Sequence, residues 1–202
     1  MRPARRRGGT AARHALVLSA ALAGACAAPR DHFYTLQALG PGAAERAGAR
    51  TGVTLHVHLP PALDRAPLVV HVSAEEVLVL EHERWLGLPS EQIESALARD
   101  LEARRPGLWV NGRVGGEGAW DIEIDVARMS VDADHQARLE ARWRIILPGE
   151  PDRLGEAALS EPVSSAGGYP AIALAFSRDV GALADRLAAS LPHPPDNPHG
   201  GR

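Results

Sequence analysis

Hydrophobic and polar positions alternate along the first well-marked stretch of the chain. Val53, Leu55, Val57 and Leu59 fall on one side of an extended backbone, and Thr54, His56 and His58 on the other. Pro60-Pro61 ends this strand, because proline brings no N–H to a ladder. Leu68–Val72 and Val77–Leu80 read as two more short strands, and the intervening Ser73-Ala74-Glu75-Glu76 predicts a hairpin. The period then changes. Ile93, Leu97 and Leu101 recur every four residues, which predicts a helix with Ser90 as its N-cap and Pro106-Gly107 as its stop. Glu91 and Glu94 sit in its first turn, where the helix dipole favours acid.

Leu108-Trp109-Val110 resumes an extended run, and Gly112–Gly118 reads as a loop. Ile122, Ile124 and Val126 then alternate with Asp121, Glu123 and Asp125. Leu139, Ala141, Trp143 and Ile145 alternate with Arg138, Glu140, Arg142 and Arg144. Paired as a long hairpin, these strands set an acidic wet face beside a basic one, each cross-strand pair contributing roughly 0.2–1 kcal/mol. A weaker strand at 156–164 follows. Tyr169-Pro170 opens a last helix to Leu191, with a stripe at Ile172, Phe176, Val180, Leu183, Leu187 and Leu191. A short extended piece, Phe33-Tyr34-Thr35-Leu36, precedes it all. The order of strands, helix, strands and helix predicts a single α+β domain over 33–191: a mostly antiparallel sheet with two main helices packed on one face.

The segments outside that domain carry other signals. Arg2, Arg5, Arg6, Arg7 and Arg13 precede an apolar run, Ala15–Ala25, which is too short for a bilayer span of about 20 residues. This is the pattern of a secretory signal peptide over 1–25. Leu22-Ala23-Gly24-Ala25-Cys26 then reads as a bacterial lipobox, with Cys26 as the lipidation site and 26–32 as the tether. The alternative is an ordinary signal peptide with Cys26 incidental. It is the chain's only cysteine, which rules out an internal disulfide framework and a multi-cysteine zinc site. A lone thiol in an oxidising envelope is a liability that acylation removes. Each buried methylene contributes roughly 0.8 kcal/mol, so two or three chains make a stable membrane anchor. Residue 27 is Ala, not Asp, which favours the outer membrane in Gram-negative sorting. The tail 192–202 is proline-rich and reads as extended.

Composition adds two exclusions. With 20 Gly and 16 Pro in 202 residues, the chain stays below the roughly 25–30% that marks low-complexity disorder. All 22 basic residues are Arg, and five of them precede Cys26 without a single acid. Cleavage there would shift the formal charge from −3 to −8. An acidic exported domain is a poor nucleic-acid binder and has no polybasic hold on anionic lipid.

Catalytic chemistry finds little support. His56 and His58 share a strand face and, with His71 and His82, sketch a metal site, but solvated strand histidines explain the same spacing. Asp132, Asp134 and His135 sketch an acid–base set, but a turn between two strands uses the same residues. Asp121, Glu123 and Asp125 suggest a cation-binding face, yet the neighbouring Arg strand offers them salt bridges. No nucleophile-elbow, zincin, Walker or Rossmann fingerprint occurs, and Gly115–Gly118 precedes no helix. No cofactor is implied. Of the four Trp, Trp85 stands out beside Arg84 at a strand end; the pair reads either as core packing or as an interface anchor. Arg65, in the proline-bracketed Pro60–Pro67 loop, either pairs with Asp64 or presents its guanidinium to a partner.

Several of these blocks occur together in one known family. Phe33-Tyr34-Thr35-Leu36 after the lipobox, Val57–Arg65 with its Pro, Leu-Asp-Arg run, Arg84-Trp85 before Pro89, and Leu139-Glu140-Ala141-Arg142-Trp143 follow a familiar order. In these the chain resembles the PqiC/YmbA-type ABC-transport auxiliary lipoproteins. Leu86-Gly87-Leu88 departs from that pattern, where the family is more polar, and so does the proline-rich end. The resemblance implies a non-enzymatic lipoprotein on the periplasmic face of the outer membrane, held by its N-terminal lipid anchor. It further implies docking to an MCE-domain transport subunit through Arg65, Arg84 and Trp85, and it leaves room for a homo-oligomer. A different class of function is a lipoprotein that carries lipid or another small ligand in its own cavity.

Overall fold

The computed structural model describes residues 29–40, 51–73, 75–111 and 120–192. The signal sequence, Cys26, the Gly112–Gly118 loop and the tail beyond residue 192 lie outside them.

Among the described residues, eight strands and two α-helices follow in the order β1 (His32–Tyr34), β2 (Thr51–His58), β3 (Pro67–His71), β4 (Val77–Trp85), α1 (Pro89–Arg104), β5 (Leu108–Val110), β6 (Trp120–Val131), β7 (Gln136–Ile146), β8 (Arg153–Pro162) and α2 (Gly168–Ser190). β6 is the trunk. β7 pairs antiparallel along one side of it, and β8 continues beyond β7. The other side of β6 is shared: β2 takes its first half, from Val53↔Trp120 to His58↔Asp125, and β3 touches its end at Val70↔Val131. The sheet therefore forks into a β2–β5 arm and a β3–β4–β1 arm.

The α+β class and the two helices stand as the periodicity predicts, and the two hairpins form, with Ile122↔Ile145 and Ile124↔Trp143 in register. The sheet is mostly antiparallel, as expected, through β3–β4, β6–β7 and β7–β8, but it is partly parallel as well. β2 runs parallel to both β5 and β6, and β1 runs parallel to β4. For β2 and β5 the reason is the helix between them. α1 carries the chain back across the sheet, and such a crossover makes the next strand parallel.

One face of the sheet is dry. Leu55, Ile122, Ile124, Leu139 and Ile145 are fully buried, α1 packs over β2 and β5, and α2 packs over β7 and β8. Gly155 is a close-approach glycine there. A Cβ at this position would overlap Cε2 and Cζ2 of the buried Trp143 indole on the neighbouring strand. The other face carries charge in register: Arg144 Nη2 lies 2.6 Å from Glu123 Oε2, and Arg142 Nε 3.7 Å from Glu156 Oε2. The Arg144 guanidinium, donating to Glu123, lowers that carboxyl below its ordinary range.

The two helices are locked by a buried ion pair. Asp100 on α1 is fully buried and accepts from Arg104 Nη1 at 2.8 Å and from the Gly40 amide. Arg104 reaches on to α2, where it donates to the Gly181 carbonyl at 3.1 Å and to Asp185.

Candidate docking site

At the C-terminal end of β4, three chain segments converge: the 59–66 loop, the Leu86–Leu88 turn and the end of β1. Pro60 starts the first by accepting from the amides of Leu63 at 2.8 Å and Asp64 at 3.0 Å. Asp64 does not pair with Arg65. Its carboxylate crosses to α1, taking the Ser90 amide at 3.0 Å and the Ser90 hydroxyl at 2.8 Å. Ser90 is thus not the N-cap. Leu88 holds that position without a capping side chain, Pro89 opens the helix, and the capping oxygens come from a residue 26 positions away.

Gln92 is the second staple. Its Oε1 accepts from the Leu36 amide at 2.8 Å, and its Nε2 donates to the Leu86 carbonyl at 3.0 Å. The Leu86 amide donates to the Tyr34 carbonyl at 2.8 Å, and the Trp85 amide to the Ala66 carbonyl at 2.7 Å. Gly87 turns the chain at φ +101°, a left-handed conformation that glycine takes without penalty. Glu83 holds β1 from below, facing His32 Nδ1 at 3.0 Å and accepting from the Tyr34 hydroxyl. Burial and then that hydrogen bond to Glu83 push the Tyr34 phenol up to about 12.

What this frame presents outward is specific. Arg65 is exposed and has no ion pair among the described residues. Arg84 is half-buried, and it lies in register with Phe33 and Pro67. Leu86, Phe33 and Leu88 are exposed at 60%, 55% and 41%. Two guanidiniums without an ion pair among the described residues, set among exposed apolar side chains, are a composition typical of protein interfaces. Trp85 is not part of that surface. It is 4% exposed and packs edge-on against Phe176 of α2, with ring centroids 6.1 Å apart. Of its two sequence readings, the core is the one the structure takes, because alternation along β4 turns residue 85 toward α2.

The other candidates disperse. His56 and His58 stack at 6.4 Å on the exposed face, but His82 faces Asp31 at 2.8 Å and His71 sits at the far end of β3. Among the described residues no cluster of three or more metal-ligating side chains forms. Asp132 is held by Arg128 at 2.8 Å and Arg138 at 2.6 Å, and Asp134 by Arg138 at 2.7 Å. His135 makes the turn at φ +57°. The cavity beside Trp85, lined by Leu63, Leu68, Met129 and Phe176, is about 20 Å³, room for one water and not for an acyl chain. Two open surface grooves of about 350 and 340 Å³ are edged by charged side chains such as Glu140, Arg142 and Arg186 in one and Glu91, Arg99 and Glu102 in the other.

The staples Asp64 and Gln92 escape sequence reading, since each acts across a fold-dependent distance. The only local trace is that Asp64 belongs to the Leu-Asp-Arg run. Residues 34–188, from the Tyr34 staple to the end of α2, match the model of the ABC-type transport auxiliary lipoprotein component family. The chain belongs to that family. No curated protein matches this auxiliary lipoprotein. Among solved structures, one titled only as an uncharacterized protein is similar over 79% of this chain and 97% of its own, at 16% identity and a TM-score of 0.65. Protein XCC0632 from Xanthomonas campestris, of the DUF330 family, is similar over 78% of this chain and 92% of its own, at 16% identity and a TM-score of 0.58. At such identity these likenesses speak to the fold, which this auxiliary component shares with both.

Proposed function

We propose that this auxiliary lipoprotein is a non-enzymatic docking subunit. Acyl chains on Cys26 hold it to the periplasmic face of the outer membrane, and its stapled end binds the MCE-domain subunit of a lipid-transporting ABC system. The domain then acts as a fixed bracket, so that lipid crosses the envelope through the partner and not through this chain.

The observation that carries the reading is the pair Arg65 and Arg84, without an ion pair among the described residues and held beside exposed Leu86 and Leu88 by Asp64 and Gln92. A rigid frame lowers the ordering cost of association, and guanidiniums suit an acidic or carbonyl-rich partner surface. Arg65→Glu combined with Arg84→Glu tests it. The variant should fold and be acylated as before and lose the MCE subunit on co-purification. Undiminished co-purification would overturn these contacts. An adjacent transporter gene set lacking an MCE subunit would overturn the partner.

A further inference from the structure

The opposite end of β4 exposes apolar side chains that the fold leaves uncovered. Val72, Val77 and Leu78 are each 50% exposed. They cap the β3–β4 hairpin, whose ladder ends at His71↔Val77, and β3 touches β6 only at Val70, so the tip projects past the sheet. The tip is ordered. The Val72 amide donates to the Glu76 carbonyl at 2.9 Å, and Ser73 Oγ accepts from the amides of Glu75 and Glu76 at 3.2 and 3.1 Å. No Arg occurs between Arg65 and Arg84; His71 closes the ladder opposite Val77, and Glu75 and Glu76 mark the turn.

The direction of the chain says what lies nearby. β1 is parallel to β4, with His32 opposite Glu83, so β1 itself runs from the hairpin end toward the 59–66 loop end. Asp31 keeps that course, facing His82 at 2.8 Å. Asp31 is five positions on from Cys26, and His82 is five positions on from Val77. Five extended residues reach at most about 18 Å. A bilayer that holds Cys26 is therefore within one short tether of Asp31.

We infer that the Val72, Val77 and Leu78 tip is a membrane foot. It rests in the headgroup region of the bilayer that holds the acylated Cys26, and its acidic turn suits zwitterionic rather than anionic lipid. Acyl chains hold the protein to the bilayer but leave its tilt free, and a second contact fixes the orientation. β4 then stands off the membrane and carries Arg65, Arg84 and Leu86 about 26 Å away from it. This rests on the acylation of Cys26 proposed above.

The test uses the full acylated chain with one new thiol, Val77→Cys or Leu86→Cys, labelled with an environment-sensitive fluorophore; Cys26 is blocked by its own thioether. Leu78→Cys serves where Val77→Cys does not fold. The probe is a phosphatidylcholine–phosphatidylethanolamine vesicle containing a lipid with a nitroxide high on its acyl chain. The label at 77 should be quenched roughly twofold or more relative to label-free lipid, and the label at 86 should stay unquenched. A chain that floats with vesicles while residue 77 is unquenched overturns the foot. If that label is also shielded from water, a protein surface or a second copy covers the tip instead. A chain that neither carries acyl groups nor floats overturns the anchor itself, and the foot with it.

Discussion

Asp179 offers the sharpest test of the packing. It lies on α2, is 1% exposed, and its Oδ2 has no hydrogen-bond partner among the described residues. Burial, and then the negative charge of Glu161 on β8, push its carboxyl up to about 7. Below the ordinary aspartate value of about 3.8 both folded and unfolded chains hold the proton and nothing is lost. Between there and about 7 the unfolded chain ionises while the folded one stays neutral, so stability falls as pH rises and then levels off. A gap of roughly 3 pK units at 1.36 kcal/mol each sets a ceiling of about 4 kcal/mol, or about 8–16 °C in Tm for a domain of this size. Asp179→Asn keeps the shape and removes the titration. Its amide has no evident partner either, a pH-independent cost of about 1–2 kcal/mol, so the informative quantity is the difference between the two proteins across pH. Urea unfolding from pH 4.5 to 8.5 should show the wild type losing stability that the variant keeps. A flat difference curve would refute the argument, and Glu161→Gln should shift the wild-type curve in the same direction by less.

The remaining predictions concern other contacts. Gly155→Ala should lower stability by about 1–3 kcal/mol in thermal unfolding, because the new methyl displaces the Trp143 indole, whose near-UV signal should change with it. Arg104→Met should cost about 3–5 kcal/mol by leaving Asp100 buried without its counter-charge, and adding Asp100→Leu should recover a large part of that in a double-mutant cycle. Asp64→Ala should cost about 1–2 kcal/mol for the lost cap of α1, and hydrogen exchange should rise at the Ser90 amide first.

Much of this architecture is written in local periodicity. The alternation of Ile122, Ile124 and Val126 and of Leu139, Ala141, Trp143 and Ile145 locates both strands of the central hairpin and the face each buries. The stripe from Ile172 to Leu191 places α2, and all six of its residues are buried. Periodicity says which face is dry but not which strand is next door, so the parallel neighbours of β2 and the forked trunk are absent from it. The stripe also leaves out Ser177 and Asp179, which are buried because α2 is covered by α1 as well as by the sheet. At the stapled end of β4, Arg65 and Arg84 are legible as unusual cations beside prolines and Trp. Asp64 and Gln92 are not, because their partners lie in segments that only the folded chain brings together. Trp85 shows the limit in another way, since a strand-end Trp next to a turn has the same sequence whether it faces α2 or a partner.

The way the chain enters through β1 also sets how the domain would bear tension. A pull on the segment before Asp31 runs along β4, so the ladder His32↔Glu83 to Tyr34↔Trp85 is sheared all at once rather than opened one rung at a time. Three rungs alone would be a weak joint. The Gln92 clamp on Leu36 and Leu86 passes the load from that short strand into α1, making this one amide the domain's strain relief.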